Sequence, residues 1–398
     1  MAIGRLPNME RLERLTRDLE TPYAVVDGAA LAHNTAELVR RAGGVPVRVA
    51  SKSVRVREIL DRTLATDGFA GAMSYSLAES VWLADEGHTD LLLAYPTTHR
   101  GALADLVAKD HRASAITVMV DSLAHLDFID SVVGTDHPPI RVCIDVDSSL
   151  EPFRGLHLGV RRSPVHSAED AIALARAISA RPGFDLVGLM FYDAQIAGLP
   201  DSSPAVRFVK SRSLADIVAR RARIVEAVRQ VTDLAIVNAG GTGSLDVMRD
   251  DPYITELTAG SGLFMPTLFD SYDAFEATPA AFYALSVVRK PTPEIATLFS
   301  GGYAASGAAG KSRLPTPVWP AGLSLIGTEG AGEVQTPVRG PVARGLRVGD
   351  RVFMRHAKAG EMCERFDAVH LVHTEESPGG AATVETLPTY RGEGKNFG

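Results

Sequence analysis

Short apolar runs alternate with longer helix-like stretches for roughly 250 residues of this chain, and few folds accommodate that rhythm. The runs fall at residues 23–26, 45–50, 72–74, 90–94, 116–120, 140–146, 186–191, 234–237 and 256–258. Stretches of helical character lie between them, among them 27–41, 77–86, 167–180 and 213–231. Most runs are continuously apolar instead of alternating, as expected of parallel strands covered on both faces. Repeated strand–helix units of this total length are what an α/β fold of the (β/α)8 TIM-barrel type requires. A doubly wound open sheet uses the same units. The barrel is preferred because polar candidates recur after many different runs and do not gather at one crevice.

From about Phe282 onward the texture changes. Glycine and proline become frequent, as in Ser300-Gly301-Gly302-Tyr303 and Leu314-Pro315-Thr316-Pro317. Short β-like runs follow at 323–326, 351–354, 368–373 and 382–387. This predicts a barrel over 23–282 followed by a smaller C-terminal all-β domain over 283–398, with 1–22 packing on the latter. Ser377-Pro378-Gly379-Gly380 reads as a turn or loop, and the tail from Arg391 as flexible. Trp82 and Trp319 read as packing residues.

Charge narrows the function classes. Lysine and arginine number 41 against 48 acidic residues, a formal net charge of -7, with no dense basic block. Nucleic acid and anionic membrane surfaces are therefore not expected partners. No apolar stretch approaches the roughly 20 residues of a membrane span, and residues 1–20 lack the apolar core of a signal peptide. The two cysteines, Cys143 and Cys363, support no disulfide framework. Cys143 sits in an apolar run and reads as a buried small hydrophobe. A reducing cytoplasm is the expected compartment.

Two motifs carry chemistry. Lys52 closes the run Val45-Pro46-Val47-Arg48-Val49-Ala50-Ser51-Lys52. A cation where a buried strand meets its loop either snorkels to the surface or sits in an active-site mouth, its pKa lowered by burial for Schiff-base chemistry. The second motif, Asn238-Ala239-Gly240-Gly241-Thr242-Gly243-Ser244, directly follows an apolar run. Glycines let backbone N–H groups approach an anion, and Thr242 and Ser244 add hydroxyl donors. It lies late in the barrel order, where barrel phosphate sites commonly sit. Gly260, Ser261 and Gly262 follow the next run and are expected to complete the cup. A dinucleotide fold needs its glycine fingerprint after the first strand, and none follows Asp27. A lysine early and an anion cup late suggest one cofactor spanning the mouth; pyridoxal 5'-phosphate has an aldehyde at one end and a phosphate at the other.

These residues resemble the pyridoxal-phosphate enzymes with an alanine-racemase-type barrel, more narrowly the D-threonine aldolase / D-serine dehydratase-like group. The resemblance rests on Thr21-Pro22 with Asp27 and Asn34, Arg48 with Lys52, the segment from Glu79 to Pro96, Gly188-Leu189-Met190-Phe191-Tyr192, the glycine loop, and Arg355-His356. It implies Lys52 as the imine lysine, and Arg48, His157 and Tyr192 beside the cofactor. It also implies a homodimer whose active site is completed by the partner's β domain.

Departures from the family pattern matter. Where the family has an arginine two residues before Gly159-Val160, this chain has His157, with Arg154, Arg161 and Arg162 nearby. The family's Tyr-x-Gly-His segment is Tyr192-Asp193-Ala194-Gln195. In metal-dependent members a His-x-Cys or His-x-Asp pair binds a divalent cation such as zinc, manganese or magnesium. Here the segment is His356-Ala357-Lys358, with Glu361, Cys363 and Glu364 following. Three readings stand: Cys363 or a glutamate joins His356 as a metal ligand, Lys358 supplies the metal's positive charge, or the segment is a plain hairpin.

The expected activity is a lyase acting on a β-hydroxy-D-amino acid. It would proceed by retro-aldol cleavage or by dehydration, with Lys52, His356, Lys358 and Cys363 as candidate catalytic residues. A racemase or decarboxylase on the same fold is the alternative, needing a second acid or base such as Cys363 or Tyr303. A cofactor-binding protein without catalysis is the third. Asp145 and Asp147, at the end of one run, and Asp193 are further candidates.

Overall fold

A computed structural model describes residues 6–153, 155–201, 203–276, 278–373 and 382–398. The chain forms two compact units. Residues 38–52, 62–260 and 397–398 make one, and the described parts of 1–37, 53–61 and 261–396 make the other. Arg154 and the Ser377–Gly380 motif lie outside the described residues.

The first unit is a closed barrel of eight parallel strands. In order they are Val47–Ala50, Phe69–Ser74, Leu91–Leu93, Ile116–Val120, Ile140–Asp145, Phe184–Phe191, Ile236–Ala239 and Glu256–Ala259. The last pairs with the first, Leu257 opposite Val47, and closes the ring. The intervening helices start where local chemistry says they should. Ser76 accepts from Glu79 N–H ahead of Leu77–Asp85, Ser167 and Asp170 form a capping box ahead of Ala168–Ser179, and Pro204 opens Pro204–Val228 behind Ser203. Leu92, Met119, Cys143, Met190 and Ile236, from five strands, pack together as one core. Cys143 is the buried small hydrophobe expected, its thiol pushed up by burial.

The second unit is built on a nine-stranded, mainly antiparallel sheet. Its long strand Ala281–Thr292 pairs with Tyr23–Asp27, Ile295–Phe299 and Arg351–Arg355. The core includes Leu12, Tyr23, Val25, Phe282, Ala284 and Phe353. Within this unit Trp319 Nε1 donates to Glu13 Oε2 at 2.9 Å.

One run lies elsewhere than expected. Tyr23–Asp27 is not a barrel strand; it pairs antiparallel with Ala281–Thr292 and parallel with Ala368–Val372. All five of its residues are buried, and a run apolar throughout suits either sheet, so periodicity could not assign it. The tail is also more ordered than expected: Glu393 pairs with Arg57 at 3.2 Å and Lys395 N–H donates to Tyr390 O. In the barrel unit the Phe397 ring lies 5.5 Å from that of Trp82.

Candidate active site

Barrel enzymes work at the C-terminal ends of their strands, and below those ends one buried network ties strands of this barrel together. Arg48 is nearly inaccessible. Its Nε and Nη2 donate to Glu256 at 2.7 and 2.6 Å, and Nη1 and Nη2 donate to Asp90 at 2.9 and 3.1 Å. Nη1 also reaches the carbonyls of Ala72 and Asp90. Asn238 Nδ2 donates to the same Glu256 at 2.8 Å. Burial alone would pull the Arg48 pKa down; Glu256 and Asp90 together hold it above its usual value. Gly71 has φ 71°, and a Cβ there would overlap both Arg48 and Asp90, so only glycine leaves the pair its room. The guanidinium's donors are thus committed to protein acceptors. Arg48, expected beside the cofactor, instead fastens the strands Val47–Ala50, Glu256–Ala259 and Ile236–Ala239 to one another.

Lys52 stands just beyond the first of these strands, on the 3-10 turn Ser51–Ser53. It is exposed, so the expected burial of the amine is absent. Its Nζ donates to the Tyr95 hydroxyl at 2.9 Å and lies 5.5 Å from that ring's centre. The Arg162 guanidinium lies 5.7 Å from the Tyr95 ring and 5.2 Å from the Tyr192 ring. Burial first, and then Asp193, push the Tyr192 hydroxyl up to about 12. Asp145, at the end of Ile140–Asp145, has its carboxyl raised to about 7, by burial and then by Asp121, against the pull of Arg162. Lys52 and Tyr192, expected together, are joined through Tyr95 and Arg162, which composition and motif had not singled out as a pair.

The glycine loop follows Ile236–Ala239. Gly240 has φ 85°, Ser244 N–H donates to Gly241 O, and Gly241 N–H donates to Ser244 Oγ at 3.1 Å. Thr242 and Ser244 are buried, and so is Gly243, whose N–H makes no hydrogen bond with a described residue. A buried N–H of that kind asks for an acceptor, and a phosphate oxygen fits. Asp193 lies fully buried near Ser244, its carboxyl pushed up by burial. Gly260 directly follows Glu256–Ala259 in the barrel unit, whereas Ser261 and Gly262 open the short helix Ser261–Phe264 of the other unit. Around the barrel only Glu256–Ala259 separates the strand bearing the loop from the strand bearing Lys52. Two strand spacings amount to about 10 Å.

His157 lies on the hairpin Leu150–Phe153/Leu156–Leu158, which the sequence did not suggest. Its Nε2 faces the Val160 carbonyl at 3.1 Å and its Nδ1 faces Glu151 Oε1 at 3.0 Å. The Glu151 carboxylate holds the ring's pKa up, and the ring holds Glu151 down. Donor atoms of Asp147, Glu151 and His157 lie close enough to share one cation. The His157–Glu151 pair is nonetheless satisfied by a single proton between them.

In the other unit, His356 directly follows Arg351–Arg355 and is buried against Phe264. Burial, then Arg355, push its pKa down to about 3, so it is neutral at pH 7. Among the described residues neither ring nitrogen meets a well-formed hydrogen-bond partner. Cys363, on the 3-10 helix Glu361–Arg365, is buried, and its pKa is pushed up to about 12 by that burial. Burial thus favours the thiol, whose proton a metal ion would have to displace. Lys358 is half-buried and donates to Ser306 Oγ at 3.1 Å, while Glu361 accepts from Ser306 N–H. Glu364 pairs with Arg55 at 2.5 Å. Among the described residues no group of three metal-type donors includes His356 or Cys363.

The sequence pattern of the alanine racemase N-terminal domain matches residues 26–267. A D-threonine aldolase from Arthrobacter sp is 27% identical over 292 residues, spanning 71% of this chain and 72% of that protein. Among solved structures, D-threonine aldolase from Filomicrobium marinum superposes with a TM-score of 0.76 at 19% identity, covering 93% of this chain and 95% of that one. D-threo-3-hydroxyaspartate dehydratase from Delftia sp. HT23 does so with a TM-score of 0.73 at 21% identity, covering 94% and 98%. Structural likeness at such identities establishes the fold.

Proposed function

Because this chain belongs to the alanine racemase N-terminal domain family, we propose that it is a pyridoxal-phosphate-dependent lyase of β-hydroxy-D-amino acids. The observation that carries the reading is the rim of the barrel: an exposed lysine, and a glycine loop whose buried Gly243 has an N–H unmatched among the described residues, end strands only two places apart. The amine fits the cofactor's aldehyde and the loop fits its phosphate. The Arthrobacter aldolase at 27% identity favours a lyase over a racemase.

When bound there, pyridoxal phosphate supplies an electron sink for the pair left at Cα. The protein's part is placement and proton handling. Gly243 and the Thr242 and Ser244 hydroxyls hold the phosphate end. Lys52, steadied by Tyr95, presents its amine at the other end and moves a proton at Cα. In retro-aldol cleavage the β-hydroxyl proton leaves, Cα–Cβ breaks, and Cα is reprotonated, giving glycine and an aldehyde. In dehydration the Cα proton and the hydroxyl leave, and hydrolysis gives a 2-oxo acid and ammonia. His356 has no exposed face from which to take a proton, so no step is assigned to it.

We further propose a cytoplasmic homodimer, the partner's antiparallel unit completing each site. Both cysteines are free, and no helix of the described residues is long and apolar enough to cross a membrane. Sedimentation at 42.4 kDa would reject the dimer.

The test is incubation with D-threonine and D-serine. Acetaldehyde marks the aldolase; 2-oxobutyrate or pyruvate marks the dehydratase. Absence of all three, with and without divalent metal, rejects the lyase. Lys52→Ala should abolish the visible absorbance of protein-bound pyridoxal phosphate.

A further inference from the structure

Arg162 differs from the other well-placed arginines of the barrel. Arg48, Arg112 and Arg221 each meet a carboxylate in a close ion pair. Arg162 has no carboxylate partner among the described residues; its contacts are the faces of Tyr95 and Tyr192. Two rings hold the guanidinium in place without consuming its N–H donors. The same Tyr95 accepts the hydrogen bond from Lys52. A lysine and an arginine on one tyrosine are two like charges gathered with no protein anion paired to Arg162, which is the preparation of an anion receptor.

Resting on the lyase reading, we propose that Arg162 receives the substrate's carboxylate and thereby selects amino acids over simple amines. The chemistry of the substrate requires a group there. In an amino acid one carbon separates the amine nitrogen from the carboxylate carbon, so an amine delivered to Lys52 brings a carboxylate within a few ångströms. Asp145 feels the Arg162 charge but makes no ion pair with it, and burial, which raises its carboxyl to about 7, leaves it only partly ionised near that pH.

The test uses the holoenzyme and does not depend on lyase turnover. D-alanine and ethylamine, the same molecule without its carboxylate, are titrated against the cofactor's visible absorbance. Wild type should prefer D-alanine. Arg162→Ala should lose that preference by about tenfold to a hundredfold, the loss of a charge-assisted pair, with ethylamine affinity unchanged. Arg162→Lys, which keeps the charge but not the fork, should fall between. In turnover the loss should appear in KM more than in kcat. An equal rise for D-threonine and D-threo-3-hydroxyaspartate assigns Arg162 to the α-carboxylate; a rise for the dicarboxylate alone assigns it to the second carboxylate. D-alanine affinity unchanged in Arg162→Ala, or no response of wild type to D-alanine, overturns the proposal. Absence of products from D-threonine and D-serine, with the D-alanine preference intact, overturns the lyase reading instead.

Discussion

Lys52 Nζ donates to the Tyr95 hydroxyl at 2.9 Å, although the two residues follow barrel strands two places apart. The bond aims a flexible four-carbon side chain that would otherwise sample solvent, since Lys52 is exposed. Tyr95 is therefore a positioning residue for the amine.

Tyr95→Phe removes the acceptor and keeps the ring that faces Arg162. The cofactor should still load, while kcat should fall roughly tenfold, the scale of one hydrogen bond to a charged donor. Steady-state kinetics with the absorbance spectrum checks this; unchanged kcat would remove Tyr95 from the mechanism.

Arg48 should matter to stability before chemistry. Arg48→Met leaves Glu256 buried without its cation, which should destabilise the barrel by about 3–5 kcal/mol. Asp90 is half exposed and adds less. Arg48→Met combined with Glu256→Leu should recover part of the loss. Denaturant unfolding followed by circular dichroism reads both.

Asp145 should make stability fall as pH rises. Its carboxyl is raised from 3.8 to about 7 in the folded protein, chiefly by burial. The folded state therefore holds that proton more tightly than the unfolded chain does. The two states differ little below pH 4, and the folded state loses ground between pH 4 and 7 as the unfolded chain ionises first. Asp145→Asn should thus be more stable than wild type at pH 8, by up to about 4 kcal/mol, and nearly equal to it at pH 4. Urea midpoints at the two pH values decide; a difference that grows toward acid would reverse the assignment.

Gly241 approaches the short helix Ala194–Ala197 so closely that a Cβ would meet the Ala197 Cβ at 2.7 Å. Gly241→Ala should displace the loop and weaken retention of pyridoxal phosphate by about tenfold, the order of one lost hydrogen bond to a charged group. Ala197→Gly in the same protein should restore it. Dialysis with absorbance measures retention, and pyridoxal without its phosphate should be indifferent to both changes.

Part of the candidate site was legible in advance. Lys52 and the loop from Gly240 to Ser244 announce themselves because a strand-ending cation and a glycine cluster are local signals. Tyr95 and Arg162 gave no signal of their partnership, because a tyrosine before a proline and one arginine among several near Val160 are ordinary in sequence. Arg48 was expected beside the cofactor on the family resemblance alone; nothing local in the sequence pointed to its ion pair with Glu256, 208 residues away. His356 and Cys363 looked reactive as letters; burial made one a neutral ring and the other a thiol.

The sequence by itself determined the strand–helix rhythm, the two textures of the chain, and the lysine and glycine loop at strand ends. Each follows from side-chain periodicity and backbone permission over a few residues. Tertiary structure decided that Tyr23–Asp27 joins the antiparallel sheet and that Glu256–Ala259 closes against Val47–Ala50. It also decided that Lys52 and the loop share one rim. Those outcomes depend on pairings between residues far apart in the chain, where several apolar runs compete on equal local terms. Ring closure and buried charge matching select among them.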